Sequence, residues 1–145
     1  MKFMAILLSM FLFYGIAWCG DARLTCDKVI SVTDLSERKI VIRSIEKELY
    51  HNMQKTTVKE LKLLNKLGKW YITCCSFSNL DPAMFLLYRD KKGIHIIEEL
   101  SGDINEKRVK ETKDVIYDYF VANAPKAPKE LIYCSAPRLA ALWGD

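Results

Sequence analysis

The sequence predicts a two-layer α+β domain that follows an N-terminal export signal. Three observations predict this fold: an apolar stripe with helical spacing early in the chain, a central run of strand-forming residues broken by turn signals, and a second helical stripe near the end. The predicted order is an N-terminal helix, three or four antiparallel strands, a second long helix and a short C-terminal tail. A sheet with one open face buries that face under one or both helices.

The start of the chain predicts a secretory signal peptide, residues 1–20. Lys2 is the only charge before Asp21, and an apolar run of about sixteen residues follows it. A membrane-spanning helix needs about 20 apolar residues, whereas a positive start, a short apolar core and small residues after it are typical of a signal peptide. We therefore expect residues 21–145 to form a single exported domain, in the bacterial periplasm or secreted. An uncleaved leader that anchors the chain to the membrane is the alternative.

The first helix is predicted in residues 31–53. An apolar stripe at four-residue steps indicates it, formed by Val41, Ile45, Leu49 and Met53. Ser31, Thr33 and Ser36 are the candidate caps at its start.

The middle of the chain carries strand signals. Residues 56–67 fit either a helix or a strand, and a strand is slightly favoured. Residues 69–78 are rich in aromatic and β-branched side chains, which favour strands. Residues 83–89 and 94–100 are apolar segments on either side of the turn sequence 90–93, so we predict a hairpin there.

The last third predicts a second long helix in residues 105–122. Asp103 and Glu106 have the spacing of a capping box at its start, and two prolines follow its end. Beyond them, residues 131–134 are predicted to be extended, and residues 137–143 to form one or two closing helical turns. This order of elements resembles that of cystatin-like and NTF2-like small domains. The resemblance lies in element order alone and carries over no functional residue.

Four cysteines remain after the predicted cleavage: Cys26, Cys74, Cys75 and Cys134. An even number in an exported chain indicates disulfides, and a bond between adjacent Cys74 and Cys75 is disfavoured because its ring is strained. Successive strand residues point to opposite faces of a sheet. We therefore expect two disulfides, in which Cys74 and Cys75 each bond to one of the end cysteines, Cys26 or Cys134. Both of the two possible pairings stay open. Free thiols are the alternative. A zinc site is disfavoured because its close cysteines are usually two to four residues apart, so we expect no metal.

Charge and motifs disfavour several other functions. The net charge of +4 is spread without a long basic run, which disfavours nucleic acid as a partner. The chain has no Gly-rich phosphate loop, zinc-protease motif or nucleophile elbow, so we expect no enzyme activity and no cofactor. His95 is the first catalytic suspect if a pocket opens beside it, and Glu99 is expected on the same side of its strand.

The aromatic residues of the sheet point instead to binding. The candidate interface or pocket residues are Trp70, Tyr71, Tyr88, His95 and Glu99. We expect a protein partner, with the chain acting as an inhibitor or immunity-type protein on a periplasmic macromolecule. One alternative is a small enzyme or ligand carrier with His95 or Glu99 in its pocket wall. Another is an envelope assembly factor.

Overall fold

The computed structural model describes residues 23–52, 55–102 and 109–143. In chain order they form β1 (Ile30–Ser31), α1 (Leu35–Asn52), β2 (Val58–Leu67), β3 (Trp70–Phe77), β4 (Ala83–Arg89), β5 (Ile94–Ser101), α2 (Val109–Asn123) and α3 (Lys129–Trp143). The α+β class is confirmed. The predicted signal peptide and the predicted capping box of Asp103 and Glu106 lie outside the described residues. Within the described part of the chain, no helix has the length and apolar character needed to cross a membrane.

The strands form one antiparallel sheet of five strands in sequence order, so the predicted count of three or four is corrected. The ambiguous segment is a strand, β2, and the predicted hairpin is β4 and β5. The additional strand is β1, in which Ile30 pairs with Lys66 and Ser31 with Asn65. Two residues are too few to leave an alternation in the sequence, and for this reason the prediction missed them.

Helices cover both faces of the sheet, so the two-layer prediction is wrong. One apolar cluster lies under α1 and contains Val41, Ile45, Leu49, Tyr71, Cys75, Phe85 and Leu87. A second cluster lies under α2 and α3 and contains Ile72, Cys74, Met84, Leu86, Ile116, Phe120, Leu131 and Leu139. The continuous apolar run of β4 fits this arrangement, because a strand buried on both faces needs no polar alternation. Each fully buried large side chain contributes about 1.5–3 kcal/mol.

The N-terminus of α1 is capped by Asp34 and not by the predicted Ser31, Thr33 or Ser36. The backbone N–H of Glu37 donates to Asp34 Oδ1 at 2.7 Å, and Ser36 Oγ donates to the same oxygen at 2.6 Å. This is the usual N-cap geometry, in which a side-chain oxygen accepts from the N–H three residues later.

The tail is a single helix, α3, where an extended piece and a separate turn were predicted. Its inner side buries residues at helical spacing: Leu131, Ile132, Ser135, Ala136, Leu139 and Ala140. Pro137 lies inside it and removes one helical hydrogen bond, but the ring is on the exposed side, next to exposed Tyr133. Asn65 Nδ2 also donates to Ser135 Oγ at 2.9 Å, a buried bond that holds α3 on β2. Burial of this helix face outweighs the local preference of proline.

Candidate functional site

The disulfide of the described chain joins Cys26 to Cys134, with their Cα atoms 5.7 Å apart. It ties the segment before β1 to the outer part of α3. Cys26 is exposed and Cys134 is half-buried, so the bond lies at the surface.

Cys74 and Cys75 are free thiols, which corrects the prediction that they bind the two ends of the chain. The alternation behind that prediction is present, because Cys74 faces α2 and α3 while Cys75 faces α1. Both faces are covered, however, and the two side chains are 1% and 0% exposed. Burial raises the pKa of the Cys74 thiol to about 11 and that of Cys75 to about 12. The reactive thiolate form is therefore suppressed in the folded protein.

His95 sits between two carboxylates at the edge of the sheet. Its Nδ1 lies 3.1 Å from Glu48 Oε1, and its Nε2 lies 3.1 Å from Asp90 Oδ1. Both ring nitrogens are thus engaged by side chains of the protein itself. This arrangement connects α1 to the β4–β5 turn.

In the register of β5, Glu99 does not share a face with His95, contrary to expectation, because His95 pairs with Tyr88 and Glu99 pairs with Phe85 of the cluster under α1. Leu86 pairs with Glu98 while Leu87 pairs with Ile96, so Ile97 is the extra residue of a β-bulge. Because of this extra residue, the side chains of β5 after Ile97 face the opposite side of the sheet from the side that simple alternation predicts. Glu99 lines a cleft of about 240 Å³ next to α1, whose apolar wall includes Leu49, Phe77 and Phe85.

Tyr71 belongs to the core and is not an interface residue, because it is 0% exposed. Its hydroxyl donates to Glu37 Oε1 at 2.6 Å, and Lys66 Nζ donates to the same oxygen at 2.7 Å. Arg89 Nη1 lies 3.7 Å away, and the cations of Lys66 and Arg89 lie 5.3 and 5.6 Å from the centre of the Tyr71 ring.

This cluster shifts the pKa of three of its members. The hydrogen bond from Lys66, then that from Tyr71, lowers the pKa of Glu37. The same bond to Glu37 raises the pKa of Lys66, and burial raises the pKa of Tyr71. The mutual satisfaction of these groups indicates a structural cluster that joins α1 to β2, β3 and β4.

Trp70 and Tyr88, two of the predicted interface or pocket residues, line a surface groove. They are cross-strand neighbours with ring centroids 4.8 Å apart. Together with the exposed Ile97 they form one side of a groove of about 600 Å³. The other side comes from the α2–α3 turn, with Asn123, Ala124, Pro125 and Lys126. We refer to these seven residues as the Trp70 groove.

Helix side chains pair with backbone groups along β5 and along β2. On β5, the Ile96 N–H donates to Glu48 Oε2 at 2.7 Å, and the Glu99 carbonyl accepts from the Tyr119 hydroxyl at 2.8 Å. On β2, beyond the short β1, the Val58 N–H donates to Glu46 Oε1 at 2.9 Å, and the Leu61 carbonyl accepts from Arg38. Since these backbone groups are already paired, addition of a partner strand is disfavoured.

A second groove, of about 420 Å³, runs beside the disulfide. Its walls include Leu24, Tyr117, Tyr133 and Pro137, and the rings of Tyr117 and Tyr133 meet edge to face at 6.2 Å. Lys113 and Asp114, of opposite charge, lie at its rim. Within the described ranges, no group of three or more His, Cys, Asp or Glu residues is placed to hold a metal ion.

Several of these residues escaped the sequence reasoning. Glu37, Glu48 and Asp90 act across elements distant in sequence, and no local pattern marks them. Ile97 was assigned to an ordinary strand because a one-residue bulge leaves no composition signal. The prolines after α2 indicate only the end of the helix in the sequence, although Pro125 also forms a wall of the Trp70 groove.

Comparison with known proteins gives no relationship: no family model, no curated protein and no solved structure matches this chain.

Proposed function

We propose that this is an exported binding protein whose interface is the Trp70 groove and whose partner is another exported protein. In this proposal it acts as an inhibitor or immunity-type protein on a periplasmic macromolecule. The observation that carries the proposal is the groove itself. It combines a paired Trp and Tyr with Ile97, which is 42% exposed beside them.

The composition of the groove supports a protein partner. Trp and Tyr are enriched among the residues that contribute most to protein–protein binding, and they do so in pockets from which water is displaced. Ile97 is held outward by the β-bulge, so its exposure is a built feature of β5 and does not depend on a mobile loop. Because helix side chains already pair with backbone groups on β2 and β5, the partner is expected to contact side chains and not the strand backbone.

The charge of the groove narrows the chemistry of the partner. Among the described residues that line it, Lys126 is the only charged one, and it is exposed at the rim. A partner that inserts an apolar or aromatic side chain between Trp70 and Pro125, with an acidic residue near Lys126, fits this surface. Such a rim charge increases the association rate more than the affinity.

Export is supported by the leader pattern together with the surface disulfide. Disulfides persist in the periplasm and outside the cell and are rare in the cytosol. The Cys26–Cys134 bond is compatible with an oxidising compartment.

The test uses one groove variant and one matched control. Ile97→Asp places a charge in the groove, whereas Val115→Asp places the same charge on α2 at a residue of similar exposure, 49%. Tagged wild type and both variants are expressed with their own leader in the source cell, cross-linked and purified, and the captured partner is then titrated with each purified form. Loss of a hot-spot contact of about 2 kcal/mol weakens binding roughly 30-fold.

We expect that weakening for Ile97→Asp alone, with thermal unfolding showing that both variants fold. A partner that binds all three forms with equal affinity contradicts the groove as the interface.

The Glu99 cleft favours a second candidate, a ligand carrier or small enzyme. It has an apolar wall with two carboxylates, Asp81 and Glu99, but its volume of about 240 Å³ is below the roughly 300–1,000 Å³ of typical ligand pockets. An NMR fragment screen tests it. A ligand that shifts the signals of Leu49 and Phe85 and loses affinity in Glu99→Gln supports this candidate, and the absence of any such ligand removes it.

A further inference from the structure

The order of the four cysteines along the described chain favours wrong disulfides during oxidation. The native bond joins the first to the last, across 108 residues, while both cysteines between them stay reduced. A chain that enters an oxidising compartment from its N-terminus exposes Cys26 to Cys74 and Cys75 before Cys134 follows.

The folded structure protects these thiols, but the unfolded chain does not. In the fold, α2 and α3 cover Cys74, α1 covers Cys75, and burial raises both pKa values. Before those helices pack, both thiols are exposed and have the ordinary reactivity of cysteine.

Loop lengths favour the wrong bonds. Either end cysteine reaches Cys74 or Cys75 through a loop of about 50 to 60 residues, half the native separation. Because the probability of loop closure falls with about the 1.5 power of loop length, each of these four bonds forms roughly three times as often as the native bond. Together they account for about nine tenths of the first bonds that form in an unfolded chain.

These wrong bonds are incompatible with the fold. Cys26 and Cys134 lie on the outer surface, whereas Cys74 and Cys75 lie on a central strand beneath the helices. A disulfide requires Cα atoms within about 7 Å, so a bond from either end to β3 prevents at least one helical layer from packing. A chain with such a bond must exchange it before it can finish folding.

We propose that the protein matures through non-native disulfides of Cys74 and Cys75, and that its folding partner is a thiol–disulfide isomerase. The first bond forms when a small disulfide oxidant, such as oxidised glutathione, accepts two electrons from two thiols of the chain. In the exchange step, the Cys134 thiolate attacks Cys26 Sγ of a Cys26–Cys74 bond. The Cys26–Cys134 bond forms, Cys74 leaves as a thiolate and takes up a proton, and no net oxidation occurs. An isomerase thiolate performs the same exchange through a mixed disulfide. Packing of the helices then seals both thiols and makes the result permanent.

The test is oxidative refolding of the purified protein, reduced and unfolded, in a buffer of reduced and oxidised glutathione. Samples are trapped by alkylation at successive times and mapped by peptide mass, with and without protein disulfide isomerase. We expect about nine tenths of the earliest single-disulfide species to contain Cys74 or Cys75. We also expect the isomerase to accelerate appearance of the native bond several-fold.

The double variant Cys74→Ala/Cys75→Ala is the control that removes the wrong partners. It is expected to reach the Cys26–Cys134 bond without a lag, and the isomerase is expected to change its rate less than twofold. If the double variant does not fold, the trapped species of the wild type decide the question alone. Dominance of the native bond from the first sample, with no effect of the isomerase on the wild type, overturns the proposal. The assay contains no binding partner, so its result is independent of the proposed function.

Discussion

Glu37 shows how one side chain connects several elements of this fold. Glu37 lies in the first turn of α1. Its carboxylate accepts hydrogen bonds from Lys66 of β2 and Tyr71 of β3, and Arg89 of β4 is close by. Glu37 and Lys66 are mostly shielded, with side-chain exposures of 22% and 28%. At such a site, the loss of a charge-assisted hydrogen bond has a measurable cost.

We expect Glu37→Gln to lower the free energy of unfolding by about 1–3 kcal/mol at neutral pH. The folded-state pKa of Glu37 is lowered from its ordinary value of about 4.5, so the unfolded state binds more protons in the acidic range. The contribution of the carboxylate is therefore fully present above about pH 4.5 and is lost as the pH falls through the lowered pKa. Urea unfolding of wild type and variant at a series of pH values measures how far the stability difference between them shrinks as the pH falls.

The control Glu60→Gln, at an exposed residue of β2, is expected to change stability by less than about 0.5 kcal/mol. A Glu37→Gln effect that does not shrink at low pH refutes the electrostatic explanation.

The N-cap of α1 gives a second prediction at this scale. Asp34→Ala removes the acceptor of the Glu37 N–H and is expected to destabilise the protein by about 1 kcal/mol. Thr33→Ala, at an exposed neighbour that the sequence also nominated as a cap, is expected to cost less than about 0.5 kcal/mol. Chemical denaturation of both variants distinguishes the two caps. Equal losses contradict the assignment of Asp34.

At the scale of elements, β5 is an edge strand whose free backbone groups are covered from two sides. Glu48 of α1 accepts a hydrogen bond from the Ile96 N–H, and the Tyr119 hydroxyl of α2 donates one to the Glu99 carbonyl. The single proton of the Tyr119 hydroxyl is shared between this carbonyl and Glu98 Oε1, and the hydrogen bond to Glu98 raises the pKa of Tyr119 to about 12. The helices thus protect the edge as well as the faces of the sheet.

Loss of the hydrogen bond between the Ile96 N–H and Glu48 is expected to change hydrogen exchange only near Ile96. In Glu48→Ala the Ile96 amide loses its acceptor, so we expect its hydrogen exchange to accelerate at least tenfold, while the Ile72 amide in the middle of the sheet keeps its rate. Lys47→Ala, at the exposed neighbouring residue, is the control and is expected to leave both amides unchanged. Unaltered exchange at Ile96 in Glu48→Ala shows that the carboxylate does not protect this edge.

Local patterns predicted most of the elements, and long-range packing decided the rest. The stripe of α1, the strand-forming composition of β3 to β5 and the turns between them were readable because each is a local signal within about ten residues. The single helix α3 was not, because burial on the sheet outweighs the local effect of Pro137. In the candidate site, Trp70 and Tyr88 were predicted from residue type, but the outward position of Ile97 depends on pairing with a neighbouring strand.

At the scale of the whole molecule, the apolar clusters and the disulfide contribute separately. Each face of the sheet has its own buried cluster, and the Cys26–Cys134 bond lies outside both. The bond therefore acts mainly by restricting the unfolded chain.

The variant Cys26→Ser/Cys134→Ser is expected to keep the fold and lose about 4 kcal/mol of stability, since the closed loop is long. Circular dichroism reports the fold, and urea denaturation reports the stability. Wild type under a mild reductant is expected to match the variant. A loss of folded structure in the variant shows instead that the apolar clusters need the bond.

The central claim is an exported domain that is closed by one surface disulfide and keeps two thiols sealed inside. A non-reducing peptide map of the protein, expressed with its own leader and alkylated before and after denaturation, tests it most directly. We predict a chain that starts near Gly20 or Asp21, Cys26 linked to Cys134, and Cys74 and Cys75 alkylated only after denaturation. A retained leader, or a disulfide that contains Cys74 or Cys75 in the folded protein, contradicts it.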